Sequence, residues 1–223
     1  MMRTLIRGLS LLLGLSLAVV VGAHVNAPSA VEAASGHSAV TQRAAFHDAM
    51  RKLWEDHITW TRLFIVSAGT ESGTLPDTAA TVDRLLANQT DIGNAIKPFY
   101  GAAAGDHLTA LLRDHILTAA DLVAAAKAGD SSAVSDASAR WYANADEIAT
   151  FLHDANPANW PLAEMKSMMK SHLDLTLEEA VARLQARYAD DVVAYDEVHA
   201  EILAMADMLS DGIIAQFPAK FGH

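Results

Sequence analysis

From Phe46 onward apolar residues return at steps of three and four, and no other feature constrains the fold as tightly. That spacing lines side chains along one face of an α-helix, because about 3.6 residues complete a turn. Phe46, Met50, Leu53, His57, Thr61 and Phe64 make one such stripe and predict a first helix from near Ser38 to near Gly69. After a loop at Glu71 to Pro76, Asp77 is an N-cap for a second helix on Val82, Leu85, Gln89, Ile92 and Ile96, stopped by Pro98 and Gly101. A third runs from about Asp106 to Ala128 on Leu108, Leu111, His115, Ala119 and Leu122, and Gly129 ends it. Asp130 or Ser131 caps a fourth, which turns Val134, Trp141, Ile148 and Leu152 inward. Asn156 to Pro161 breaks the chain again. A fifth helix starts at Pro161 or Leu162 with Met165, Met169 and His172 inward, and a last one carries Val192, Tyr195, His199, Ile202, Leu209 and Ile213 up to Pro218. The boundary between these two has two readings, a capping box of Thr176 with Glu179 or a hinge over Gln185 to Asp190. No run of β-branched residues alternates with period two, so the expected fold is all-α: an up-and-down bundle of five or six helices, two related hairpins plus a C-terminal helical pair.

The first residues read differently. Arg3 and Arg7 precede an apolar run from Leu9 to Val21, too short for a comfortable membrane span and of the length of a signal-peptide core. Val21, Gly22 and Ala23 supply the small residues that signal peptidase reads, so residues 1–23 are expected to be removed. Residues 24–37, rich in Ala, Ser, Val and Gly without a period, read as a flexible spacer, 38–217 as a single helical domain and 218–223 as a tail. No later stretch is apolar enough to span a membrane, so export would leave the chain free in the periplasm, the cell envelope or the medium. The chain has no Cys, which excludes disulfides and thiolate metal sites. Its formal charge of −11 becomes −13 when the two leader arginines leave, since the leader holds no acid. An acidic chain without a Lys/Arg run lacks the footprint that nucleic acid requires.

The helices echo one another. Leu53 to Ile58 and Leu111 to Ile116 share the pattern L-x-x-D-H-I, and Ala87-Asn88-x-x-Asp91-Ile92 is matched by Ala143-Asn144-x-x-Glu147-Ile148. Ser171-His172-Leu173 and Glu201-Ile202 give a fainter third copy. The unit is a helical hairpin, although amphipathic Ala/Leu-rich helices also match one another by composition.

Chemistry, if present, lies on the seams. His57, His115 and His172 sit on the apolar faces of three helices, with His199 on or beside a fourth. A buried imidazole needs partners for both ring nitrogens, and a metal held between facing helices supplies one. With Asp91 and Glu147 as the nearest acids, neutral imidazole and carboxylate suit zinc, iron or copper. A second metal reading uses thioethers: Met165, Met168, Met169 and His172 follow one face of the fifth helix and would hold a soft ion such as Cu(I). The competing reading of both sets is structural. Methionines fill cores, and seam histidines take hydrogen bonds within a polar network for which Trp54, Asn88, Gln89 and Asn144 are available. The inventory for catalysis is poor, with no Gly-rich phosphate loop, no G-x-S-x-G elbow and no Cys, while Glu178-Glu179 and Asp190-Asp191 read as a solvated face.

Several longer stretches, L-W-E-D-H-I-T-W-T-R, N-Q-T-D-I-G-N-A-I-K-P-F-Y-G, W-Y-A-N-A-D-E-I-A, H-L-D-L-T and M-A-D-M-L, together resemble a family of small exported bacterial proteins, from about Phe46 to Phe217. Members carry names such as glycosyltransferase or acetylglutamate kinase. Those names imply α/β sheets with nucleotide-binding loops, which this chain does not show. Asp-His-Ile on helices one and three also resembles the pattern of hemerythrin-type bundles. Those take His-x-x-x-Glu or His-x-x-x-x-Asp pairs, and where helices two and four would supply histidine this chain has Asn88 and Asn144.

Two function classes follow, an exported binding module for a metal or small ligand and a structural or interaction protein with core histidines; an enzyme is the least favoured. Processing after Ala23 gives the first prediction: intact-mass analysis of the exported protein should place its N-terminus at His24.

Overall fold

The computed structural model describes residues 30–70 and 74–222, with side chains from Ser38 onward. Six helices fill it: α1 (Ala30–Ala68), α2 (Thr78–Tyr100), α3 (Ala102–Ala128), α4 (Ser131–Ala155), α5 (Leu162–Leu184) and α6 (Tyr188–Gln216). The described residues form no sheet, and none of their helices is long and apolar enough to cross a membrane. The chain is an all-α bundle. Each helix packs on its sequence neighbours and α6 returns to pack on α1, so the six close into a ring. Short connections reverse the chain each time, so α1, α3 and α5 run one way and α2, α4 and α6 the other.

Local chemistry explains the breaks. Asp130 caps α4, its side chain accepting hydrogen bonds from the Ser132 and Ala133 amides. Gly101 alone separates α2 from α3, and its φ of 87° is open to glycine at no steric cost. At the turn after α4, Trp160 is buried, and Asn156 Nδ2 donates to Gly212 O at 2.9 Å. The hinge reading holds for the α5–α6 boundary. Thr176 and Glu179, expected as a capping box, lie inside α5, where the threonine hydroxyl donates to His172 O and Glu179 faces a cation instead of a free helix end. α6 is continuous.

Two boundaries differ from those read in the sequence. The helical backbone of α1 begins at Ala30, so part of the expected 24–37 spacer is helix, and the expected leader lies outside the described residues. The expected tail contributes to the core. Pro218–Phe221 forms a short 3-10 helix (η1) that buries Phe221 between Phe46 and Phe99, at ring distances of 5.2 and 5.7 Å. Burial of that ring offsets part of the chain entropy lost in ordering the segment.

Phe46, Phe99, Phe217, Phe221 and Trp160 thus close one end of the ring, and Phe64, Ile65, Ala68, Val123 and Ala180 pack at the other. Met50, Ile92, Leu112, Ile148, Leu173 and Ile202 belong to the core between them. α2 and α3 approach most closely at Gly93 and Gly105: a Cβ on Gly93 would stand 2.5 Å from Gly105 O, a backbone atom that cannot step aside. Gly93→Ala should therefore lower stability by about 1 to 3 kcal/mol, measured by urea unfolding, with the helical circular-dichroism signal intact.

Candidate functional site

α1, α3 and α5 each bring one histidine to the middle of the ring. His57, His115 and His172 are 3%, 3% and 4% exposed, too little for any of them to work at a surface. The His172 ring lies 5.8 Å from that of His57 and 6.2 Å from that of His115, centre to centre. All three line one central cavity with about 30 Å³ of space open to water centres, enough for one or two waters. Its walls are otherwise apolar, among them Met50, Trp54, Ile92, Leu112, Ile148 and Met205.

Each ring is tied outward through Nδ1 to the second helix of its own hairpin. His115 Nδ1 is 2.9 Å from Asn144 Oδ1, whose amide nitrogen donates to Leu111 O at 3.1 Å. His172 Nδ1 is 3.2 Å from Glu201 Oε2. In both cases the partner is an oxygen acceptor, so Nδ1 carries a proton. His57 differs. Its Nδ1 lies 3.2 Å from Gln89 Nε2, a donor that also serves Leu85 O at 2.8 Å and Asn88 Oδ1 at 3.1 Å. Those two oxygens take both N–H groups of the amide, so the contact with Gln89 does not set the His57 tautomer. No Nε2 of the three has a hydrogen-bond partner among the described residues. Burial, reinforced by the neighbouring imidazoles, pushes the His57 pKa well below its usual value and that of His115 down to about 3, so both rings are neutral at physiological pH.

The other expected ligands are elsewhere. Asp91 is exposed and 3.8 Å from Arg84, and Glu147 faces an open surface groove with His107 and Asp154. Each sits a helical turn from its seam asparagine on the solvent side, which the spacing alone did not reveal. His199 is half-buried on α6 and bonds Glu55 at 3.0 Å, away from the central three. Of the thioether set, Met169 and His172 line the central cavity, Met165 is in the core and Met168 is partly buried against it. Of the expected polar network, Asn88, Gln89 and Asn144 are buried and bonded, Asn88 through Nδ2 to Leu53 O at 3.0 Å. Trp54 packs edge-on against His57, but its Nε1 has no partner among the described residues. Among those residues no group of three His, Cys, Asp or Glu side chains stands ready to hold a metal ion.

A second buried polar cluster escaped the sequence reading. Two turns beyond His172, Glu179 accepts from Arg62 at 3.0 Å, and Arg62 also grips Asp191 through both terminal nitrogens. Arg183 adds a contact to Asp191 at 3.6 Å. Glu179 and Asp191, expected on a solvated face, are 1% and 0% exposed; only their neighbours Glu178 and Asp190 face solvent. Residue-pair composition marks acids as surface, and only the cation across the ring reverses that. Glu201, the partner of His172, was visible as part of the faint third copy but not as a ligand-orienting residue. Compared with known protein families, curated proteins and solved structures, the chain matches none.

Burial lifts the Glu179 carboxyl from 4.5 to about 7, against the pull of Arg62. Between those two values the folded state holds a proton that the unfolded chain has released. Stability from this group is therefore full below pH 4.5 and is lost as pH rises through about 7. Relative to Glu179→Gln, which does not titrate, the wild type should lose on the order of 1 to 3 kcal/mol between pH 4.5 and pH 8, read from urea unfolding curves.

Proposed function

We propose that this chain is an exported helical binding protein whose interior histidine centre takes a transition-metal ion, with His57, His115 and His172 as ligands. The observation that carries this reading is the meeting of three buried imidazoles, one from each hairpin, with Nδ1 engaged outward and Nε2 left without a protein partner. Metal-bound histidines are held that way by outer partners, and here Gln89, Asn144 and Glu201 would be those partners. Rings joined through one zinc lie about 5 to 5.6 Å apart, given Zn–N bonds of about 2.1 Å. The spacings of His172 from His57 and His115, 5.8 and 6.2 Å, are wider than that, so the rings would have to close on an ion as it binds. An all-nitrogen set favours zinc or copper over iron. The Gln89 carbonyl oxygen beside His57 is itself buried without a partner. Burial on every side argues for holding an ion, against turning over a substrate.

The same reading treats the chain as three copies of one hairpin. Asn88 and Asn144, matched in sequence, donate to Leu53 and Leu111, also matched. In the second and third hairpins the histidine's partner stands 29 residues on, and in the first 32.

One observation favours a structural role instead. The cavity between the rings has room for one or two waters, which can bond the imidazole nitrogens in an ion's place. Melting curves of the full exported chain with Zn²⁺, Cu²⁺ and Fe²⁺ decide between the two. A metal-dependent rise in Tm that His115→Ala abolishes is expected; a wild-type Tm indifferent to all three ions overturns the metal reading.

A further inference from the structure

Beyond the histidine centre, toward the end of the ring where α1, α3 and α5 finish, lies a second cavity of about 100 Å³. It is bounded by α1, α3, α4 and α5, and Phe64, Leu122, Val123, Trp141 and Leu184 form much of its wall. Close-packed interiors leave few voids larger than a water, so a space of this size needs a cause. Small residues keep it open: Ala119 on α3 and Ala180 on α5 stand where a Leu or Val would fill it, with the exposed Ala126 at its rim. Water has little reason to occupy it, because a buried water needs two to four polar partners. The hydroxyl protons of Thr61 and Thr176, on the wall, go to His57 O and His172 O, each at 2.8 Å. The one uncommitted donor among the lining side chains is the Trp141 indole N–H, buried and without a partner among the described residues.

We infer that this cavity is a binding site for a small uncharged apolar ligand, no larger than a single six-membered ring and carrying at most one hydrogen-bond acceptor. Apolar cavities of about 150 Å³ stay dry and bind benzene or xenon, and this one is of the same order. It is separate from the histidine centre in chemistry and in wall, although Trp141 touches both, its ring lying 5.4 Å from that of His115. An ion drawn to imidazole nitrogens has no ligand here, and an apolar ring has no room in the roughly 30 Å³ between the histidines.

Benzene is the probe, added to the full exported chain while Tm and Trp fluorescence are followed. The expected result is a dose-dependent rise in Tm, with a fluorescence change from Trp141 that Trp141→Phe removes. Ala180→Leu fills the space and should weaken benzene binding at least tenfold. Where that variant fails to fold, Ala119→Leu is read in its place. A wild-type Tm unmoved by benzene near its solubility limit overturns the site, and so does a response undiminished in the folded filling variants. Metal in the histidine centre is scored separately by its loss in His115→Ala, so either result stands without the other.

Discussion

Three imidazoles buried at one level of a ring of apolar helices are the constraint on which the architecture turns. An imidazole carried into a low-dielectric interior without partners costs several times the net gain of an ordinary hydrogen bond, so each histidine fixes the position of a polar group across from it. Asn144 and Glu201 meet that demand directly, and the Gln89 amide stands beside His57. Each pair crosses between the two helices of one hairpin, and sliding either helix by a turn would break it. Apolar packing tolerates substitution of one methyl-bearing side chain for another; a His–Asn or His–Glu contact near 3 Å does not. The polar layer therefore sets hairpin register, and the apolar layers above and below fill the space that register defines.

Closing the ring is a separate problem, because α1 and α6 are the most distant helices in sequence. Their contact is laced by charge. Arg62 on α1 reaches Asp191 on α6 and Glu179 on α5, Arg51 forms paired hydrogen bonds of 2.6 Å to Asp207, and Glu55 meets His199. The surface pairs add little energy each, being screened by solvent. The buried Arg62 cluster is a different case: one guanidinium serves both acids, with Arg183 beside Asp191, and at Glu179 burial still outweighs its pull. Such a cluster confers specificity more than stability. It admits one partner for α1 and rejects an open or swapped arrangement in which the acids would be buried alone.

Much of this was legible in the sequence, and the limits are physical. Helical period, Gly101, Gly129, Asp130 and the Asn156–Pro161 break located the helices, since each acts through its own few residues. Seam positions also follow from period, which is why His57, His115 and His172 were all placed inward. Asp91 and Glu147 were not separable from them by spacing, because a residue three or four positions from a seam residue lies near its edge and a small rotation of the helix decides which side it takes. Glu179 and Asp191 were misplaced for a deeper reason. An acid is surface by default and core only when a cation arrives from elsewhere in the chain, and Arg62 is separated from them by 117 and 129 residues. Phe221 follows the same rule: its burial depends on Phe46 and Phe99, and nothing in the last residues records that.

The three histidines meet different partners, a glutamine amide, an asparagine amide and a glutamate, so the centre is asymmetric. A strict threefold arrangement would present the same ring nitrogen, in the same protonation state, three times to one point. Three lone pairs would repel around an empty centre, and three N–H groups would lack an acceptor. Replacing the Asn-type oxygen by a Gln-type nitrogen beside His57, and by a carboxylate beside His172, breaks that degeneracy. The carboxylate also brings negative charge next to a ring that a bound cation would make more acidic, whereas His115 has only a neutral amide. The partners of the three imidazoles thus differ in kind, while Asn88 and Asn144 bond Leu53 O and Leu111 O alike.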